Sequence, residues 1–190
     1  MSPPHIATTD RTELADNVAR AVAAVTDPEY PDVTIAELGM LERVVLLEDD
    51  HGGEDHASCD PSHGVSDAGN EGASAGPLHV RVELVPTVLG CPALRMIEAD
   101  VRAAALHAGA TTVEVNFLLQ PVWSPDRIAA PARERLAREY TITLRGRDGS
   151  LRCPLCGSAE VSEKSAIGPA RCRAVYYCDA CRNPVEVLRR

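Results

Sequence analysis

The stretch Cys153-Pro154-Leu155-Cys156-Gly157 is completed by a second stretch, Cys178-Asp179-Ala180-Cys181, with 21 residues between Cys156 and Cys178. Two residues separate the thiols of each pair, and this spacing lets both sulfurs turn toward one cation. Two such turns that face each other form a closed tetrahedral site, which suits Zn²⁺. Gly157 favours the first turn, because a residue without Cβ takes positive φ easily. We therefore predict a zinc ribbon over residues 146–190, with Cys153, Cys156, Cys178 and Cys181 as ligands of a structural Zn²⁺.

Disulfides are the alternative for these four thiols, and they would need an oxidising compartment. The sequence begins without a charged and then apolar leader, and it has no apolar run of membrane-spanning length. We therefore expect a cytoplasmic protein without membrane contact, whose thiols stay reduced. The count of seven cysteines is odd, which excludes a fully paired framework.

The net charge of -9 is concentrated in one segment. Residues 48–76 hold eight of the 28 acids and no lysine or arginine, which leaves 20 acids against 19 bases elsewhere. We predict that residues 49–77 form a disordered acidic insertion between two strands, because they contain too little apolar area to order themselves. The rest of the chain has no basic patch and only one Trp and one Phe, so nucleic acid is not expected as a partner.

The periodicity of apolar residues predicts the remaining elements. After a disordered tail over residues 1–10, a helix with Leu14, Val18, Val22 and Val25 on one face ends at Asp27-Pro28. Strands are predicted at 41–47, 78–84 and 113–119, with a helix at 92–108 that makes the last two a right-handed parallel βαβ unit. A short helix at 130–139 and a linker at 146–150 lead to ribbon strands at 174–178 and 185–188. The predicted fold is α+β: an α/β domain over 11–145, followed by the ribbon.

Cys91 is the second candidate for chemistry. It lies in Thr87-Val88-Leu89-Gly90-Cys91-Pro92, where Pro92 fits the first helical position and Cys91 would be the N-cap. A thiol at that end of a helix faces unpaired N–H groups, which favour the thiolate. Thr87 would supply a hydroxyl to the same pocket. The alternative is an inert, buried cysteine at a helix start.

Three further features are open to a structural interpretation. Asp27-Pro28-Glu29 is typical of a helix stop followed by a turn, and Leu38-Gly39-Met40 of a glycine turn before a strand. Cys172, six residues before Cys178, is interpreted as a small core residue, a spare ligand or a fifth thiol near the metal.

Together these motifs resemble a known family. Asp27-Pro28-Glu29-Tyr30-Pro31, Glu37-Leu38-Gly39-Met40, and Thr87 with Gly90-Cys91-Pro92 are similar to the SufT-like iron–sulfur assembly domain, whose reactive cysteine falls on Cys91. Pro121-Val122-Trp123, Arg133-Glu134-Arg135-Leu136 and the four-cysteine ribbon narrow the resemblance to the PaaD (PaaJ) family of bacterial phenylacetate degradation. Glu37 departs mildly from the usual Asp, and Arg182 stands where a glycine would ease the second turn.

The resemblance implies an accessory or maturation role beside phenylacetyl-CoA 1,2-epoxidase. Its expected partners are the di-iron oxygenase subunit and the iron–sulfur flavin reductase, and its cargo is transient iron or an iron–sulfur cluster at Cys91. A homodimer is left open. Two alternatives belong to other classes: a structural adaptor without metal transfer, and a rubredoxin-like electron-transfer protein with iron at Cys153, Cys156, Cys178 and Cys181.

Overall fold

The computed structural model describes residues 11–47, 77–146 and 148–189. The predicted tail at 1–10 and nearly all of the predicted insertion at 49–77 lie outside these residues. In chain order the elements are α1 (Arg11–Ala23), β1 (Thr26–Asp27), β2 (Tyr30–Thr34), β3 (Leu41–Leu47), β4 (His79–Leu84), α2 (Leu94–His107), β5 (Thr112–Phe117), a 3₁₀ turn (Pro125–Arg127), α3 (Ala130–Glu139), β6 (Ile142–Thr143), β7 (Val161–Ser165), β8 (Arg173–Cys178) and β9 (Pro184–Leu188). The predicted α+β class is confirmed.

The N-terminal half is built on a three-stranded sheet in the order β3-β4-β5. β3 and β4 pair antiparallel, whereas β4 and β5 are parallel and are joined through α2, as the alternating pattern predicts. Val80, Val82 and Leu84 point to the core, and α2 covers them with Ile97 and Val101. The ends of β4 and β5 therefore lie at one edge of the sheet, and the segments that follow them meet there.

One hairpin was not predicted. The first helix ends at Ala23 rather than at Asp27, and Thr26–Asp27 pairs instead with Tyr30–Thr34. The Asp27 carboxylate closes the turn by accepting a hydrogen bond of 2.8 Å from the Glu29 amide, as aspartates in turns commonly do. The helix stop at Asp27-Pro28 is therefore in fact a tight hairpin, in which Asp27 is buried.

The C-terminal segment forms a four-stranded sheet in the order β6-β9-β8-β7. Its edge strand β6 comes from residues 142–143, before the predicted division at residue 146, and pairs in parallel with Glu186 and Val187 of β9. The predicted ribbon strands at 174–178 and 185–188 match β8 and β9, whereas β6 and β7 were not predicted. The division of the chain at 146 stays a prediction.

The hairpin of β8 and β9 joins two parts of the molecule. Its turn contains Cys178 and Cys181, while Arg173 pairs with Leu188 at its open end. Leu188 and Cys172, the residue before Arg173, are buried in the main core together with residues of the first half of the chain. The six residues of β8, Arg173–Cys178, extend over about 20 Å. No helix among residues 11–47, 77–146 and 148–189 is long and apolar enough to cross a membrane.

Candidate metal centre and thiol cavity

The four ribbon thiols meet in one cluster. The Sγ atoms of Cys153, Cys156, Cys178 and Cys181 all lie within 4.8 Å of one another. Cys153 is 3.6 Å from Cys181, and Cys156 is 3.6 Å from Cys178, measured between sulfurs. Four sulfurs at tetrahedral positions around Zn²⁺, with Zn–S bonds of about 2.3 Å, are separated by about 3.8 Å. The cluster therefore has the donor set and the spacing of a four-thiolate metal site.

The two turns of the cluster have equivalent backbones. The Gly157 amide donates to the Cys153 carbonyl at 2.8 Å, and the Arg182 amide donates to the Cys178 carbonyl at the same distance. Gly157 has φ of 75° and Arg182 has φ of 60°, so both lie in the left-handed region that favours glycine. Arg182 thus adopts, at some strain, the conformation for which the sequence suggested a glycine. The pKa of Cys181 is lowered to about 6, first by the Asn183 amide and then by the neighbouring thiols.

Cys91 lies ahead of α2 rather than at its cap. The N-cap is Ala93, in helical conformation, and the helix begins at Leu94. Cys91 instead occupies two successive turns, because its amide donates to Val88 and its carbonyl accepts from Leu94. The predicted N-cap position is therefore wrong by two residues. The thiol remains half-buried and partly accessible.

Cys91 opens into a cavity that gathers several of the sequence motifs. Thr87 and Cys91 line it from the loop after β4, Asp27 and Glu29 from the β1–β2 hairpin, and Trp123 from the loop after β5. Cys172 and Leu188 close it from the open end of the ribbon hairpin. The volume of about 20 Å³ holds roughly one water-sized particle. The structure thus places Thr87 and Cys91 together, as predicted, and adds groups that were not assigned to this pocket.

The Cys172 thiol faces Glu29 across this cavity. Its Sγ donates to Glu29 Oε2 at 3.5 Å, and the Arg173 guanidinium lies 3.2 Å from the same oxygen and 2.6 Å from Glu186. Burial, followed by the Glu29 charge, raises the pKa of Cys172 to about 12, so the thiol is protonated at neutral pH. Cys172 is 5 % exposed and lies outside the ribbon cluster, which agrees with the core interpretation and not with a spare ribbon ligand.

Two more polar groups are buried at the cavity. Asp27 is 8 % exposed, and burial raises the pKa of its carboxyl above the ordinary value. Tyr30 is 3 % exposed, and its hydroxyl has no hydrogen-bond partner among the described residues. The Arg173 guanidinium stacks over the Tyr30 ring at 5.3 Å from the centroid. Burial raises the pKa of Tyr30, so its phenol stays a neutral donor.

The glycine turn at residues 38–40 holds one wall of the cavity in place. The Trp123 indole donates to the Leu38 carbonyl at 2.9 Å, and Arg127 Nε donates to the Gly39 carbonyl at 2.7 Å. Glu37 accepts a hydrogen bond of 3.0 Å from the Thr34 amide and pairs with Arg135 of α3. Glu37, Leu38 and Gly39 therefore act structurally, by tying the turn to the segment after β5.

Sequence comparison places the chain among known proteins. It is 30% identical over 175 residues to a putative 1,2-phenylacetyl-CoA epoxidase subunit of Escherichia coli (strain K12), covering 88% of this chain and 88% of that relative. Residues 137–189 also match the family described as the PaaD zinc beta ribbon domain. The chain belongs to the PaaD family. The matched ribbon begins within α3 and includes β6, in agreement with the observed sheet.

A solved structure is also similar to this PaaD chain. It is the crystal structure of a domain of unknown function, DUF59, from Bacillus anthracis, with a TM-score of 0.46 and 21% sequence identity. The similarity covers 67% of this chain and 94% of that chain.

The acidic hairpin and Cys172 contribute more to the site than their local sequence indicates. Asp27 and Glu29 were interpreted as a helix stop, and Tyr30 received no separate role, yet all three line the cavity beside Cys91. One sequence signal for this burial is that the polar run Asp27-Pro28-Glu29 is followed directly by the aromatic residue Tyr30. The pairing of Glu29 with Cys172 joins residues 143 positions apart, which local patterns do not reveal.

Proposed function

We propose that this chain is an accessory subunit of phenylacetyl-CoA 1,2-epoxidase, acting in aerobic phenylacetate catabolism by assisting iron or iron–sulfur loading of partner subunits. The observation that carries the proposal is the 30% identity to the putative Escherichia coli subunit of this enzyme over 88% of both chains. The partners would be the di-iron oxygenase subunit and the iron–sulfur flavin reductase. Iron or a cluster is cargo in this scheme, and the ring chemistry belongs to the partners.

The two thiol sites would divide the work. Four cysteines saturate a tetrahedral zinc and leave no open position for exchange. The ribbon zinc would therefore be structural, with Cys153, Cys156, Cys178 and Cys181 as its ligands. Cys91 is half-buried beside a cavity and has room to receive and release a metal, with Thr87 in the same pocket. Cys91 would be the transfer thiol.

Exposed apolar side chains beside Cys91 support a docking role for the same edge of the sheet. Leu89 is 58% exposed in the loop after β4, whereas Leu119 and Val122 are 69% and 67% exposed in the loop after β5. Large apolar groups exposed together often mark a protein interface. Contact of a partner here would bring it next to the Cys91 thiol.

Co-expression with the epoxidase subunits tests the transfer role. Cys91→Ser should leave folding and the ribbon zinc unchanged, while the iron content of the purified oxygenase and reductase falls to the level found without this protein. Cys59→Ser is the control for loss of one thiol that is assigned to neither site, and it should support normal loading. A normal iron content of the oxygenase and reductase with Cys91→Ser would contradict the transfer role.

The exposed apolar groups also favour a second candidate, a structural adaptor without metal transfer. An adaptor would co-purify with the oxygenase in a fixed ratio, and Cys91→Ser would change neither client iron nor activity. Leu119→Asp distinguishes the contact from the chemistry, because it places a charge in the apolar surface and leaves both thiol sites intact. It should weaken co-purification under either candidate, whereas only the transfer role makes client iron depend on Cys91.

A further inference from the structure

A second cavity lies against the ribbon sheet and shares a wall with the Cys91 cavity. Its volume is about 220 Å³, and the buried apolar side chains of Ala174, Val187 and Leu188 form part of its lining. Leu188 lines the Cys91 cavity as well. We call this second cavity the ribbon groove. It offers an apolar surface that begins where the Cys91 cavity ends.

Three arginines form a basic strip that runs from the ribbon groove to the loop of Cys91. Arg145 and Arg189 line the groove. Arg189 Nη1 donates to the Arg171 carbonyl at 3.3 Å, which places the two residues side by side. A Cβ placed on Gly90 would lie 3.3 Å from Arg171 Nη1. The strip therefore ends at the residue that precedes Cys91 in the chain, and both Arg171 and Arg189 are exposed there.

The guanidinium groups of the basic strip have no carboxylate partner within the described part of the chain. Arg145 donates instead to the Gly149 carbonyl at 2.9 Å and to the Tyr176 hydroxyl at 2.8 Å. Among the described residues that line the groove, Glu163 is the one carboxylate, and it already accepts a hydrogen bond of 2.6 Å from Tyr176. Positive charges gathered without counter-ions beside a cavity attract an anionic partner.

We propose that the ribbon groove and the basic strip bind an extended acidic segment of the epoxidase subunit that exchanges metal with this chain; the identity of this partner rests on the proposed function. The groove is smaller than the roughly 300–1,000 Å³ of small-molecule pockets, so it suits a few side chains of a larger partner. Guanidinium groups match the planar geometry of carboxylates. Nucleic acid is disfavoured, because Tyr176, the one aromatic residue among the described lining, is 6% exposed and offers no surface for base stacking.

Binding kinetics of the full chain test the role of the charges. The zinc-loaded protein is immobilised, and the purified oxygenase and reductase subunits are passed over it. The double variant Arg171→Glu with Arg189→Glu should lower the association rate of one subunit by about 10-fold or more. The difference should shrink between 0.1 M and 1 M salt, where the Debye length falls from about 10 Å to about 3 Å. Arg138→Glu is the matched control on α3, where Arg138 pairs with Glu139, and it should bind like the parent protein.

Two further sets of variants test the groove and identify its occupant. Ala166 is exposed and lines the groove, so Ala166→Trp fills it without a change of charge and should raise the dissociation rate by about 10-fold. Arg171→Lys and Arg189→Lys keep the charge and add an amine, which a carbodiimide joins to an adjacent carboxylate as an amide. Mass spectrometry should then locate the crosslink on Asp or Glu residues of one segment of the bound subunit. One zinc equivalent and an unchanged circular dichroism spectrum show that each variant is folded.

Four outcomes overturn the inference: neither subunit binds the parent protein, charge reversal leaves association unchanged, the crosslinks fall only on acids of this chain or of a second copy, or single-stranded nucleic acid binds in preference to both subunits. Client loading separates this failure from failure of the proposed function. If charge reversal prevents binding but clients load normally with Cys91→Ser, the docking groove stands and the transfer role falls. If Cys91→Ser lowers client iron while charge reversal changes neither binding nor loading, the transfer role stands and the docking groove falls.

Discussion

The thiol of Cys172 donates a hydrogen bond of 3.5 Å to Glu29 Oε2, and this contact links the ribbon to the N-terminal hairpin. The same β8 strand that begins beside Cys172 ends at Cys178 in the metal cluster. Leu188, at the end of β9, belongs to the main core. Cys172 and Leu188 of the ribbon hairpin thus form one wall of the Cys91 cavity, so the ribbon metal should influence residues about 20 Å away.

Removal of the ribbon metal should therefore loosen the hairpin at Glu29. Without metal the β8–β9 turn opens, and burial of Leu188 against the core is lost, which weakens local stability by about 2 kcal/mol. We expect roughly 30-fold faster amide exchange in residues 27–40, measured by mass spectrometry after chelation. Full exchange in residues 150–189 with unchanged protection in 27–40 would show that the two parts are independent.

Acid pH should remove the contribution of the Glu37 carboxylate to the stability of the fold. The Thr34 amide, and then Arg135, lower the pKa of Glu37 below its ordinary value of 4.5. A carboxyl whose pKa is lower in the folded state than in the unfolded state stabilises the fold at pH values above its unfolded-state pKa. This stabilisation is lost as the pH falls through the folded-state pKa. Glu37→Gln should lower the free energy of unfolding by about 1 kcal/mol at pH 7, and the difference should vanish in acid.

Urea unfolding at a series of pH values measures this difference. Glu98→Gln is the control, because Glu98 pairs with Arg102 on the surface of α2 and should change stability by less than about 0.5 kcal/mol. A Glu37→Gln deficit that persists undiminished at acid pH would mean that the carboxylate charge is not the cause.

Local patterns in the sequence account for part of this fold and of its site. Alternation marks β4 and β5, and the cysteine spacing marks the ribbon, because each of these signals lies within about 30 residues. The β1–β2 hairpin was missed because its first strand has two residues and depends on tertiary pairing. Cys172 could not be assigned to the Cys91 cavity, since that requires knowing how β8 packs on a distant hairpin.

The two cluster turns should respond oppositely to substitution. Arg182 has φ of 60°, which costs a residue with a side chain about 1–2 kcal/mol. A glycine there would avoid this cost but would lower stability by about 0.5–1 kcal/mol, because it increases the entropy of the unfolded chain. Arg182→Gly should therefore stabilise the ribbon by about 0.5–1 kcal/mol. Gly157→Ala should destabilise it by about 1 kcal/mol through backbone strain alone, because nothing lies within 4 Å of the added methyl.

Release of zinc to a colorimetric chelator during urea unfolding reports on both variants of these turns. The urea midpoint of release should rise for Arg182→Gly and fall for Gly157→Ala. Equal shifts of one sign would contradict the equivalence of the two turns.

Gly39→Ala should lower the stability of the fold more than Gly157→Ala does. Gly39 has φ of +68°, and an added Cβ would lie 2.4 Å from Arg127 Cβ and 2.6 Å from the Arg127 carbonyl oxygen. Backbone strain and overpacking together predict a loss of about 3 kcal/mol and a fall in Tm of about 6–12 °C.

The one tryptophan of the chain reports on this damage directly. Trp123 is 2% exposed, and its indole bonds to the Leu38 carbonyl beside Gly39, so Gly39→Ala should shift its fluorescence toward the red. Gly149→Ala is the matched control, with φ of +82° and nothing within 4 Å of the new methyl, and it should cost only the backbone strain. An equal loss of stability in the two variants would mean that the turn at residues 38–40 can shift without displacing Arg127. The wall of the cavity would then be more deformable than its contacts imply.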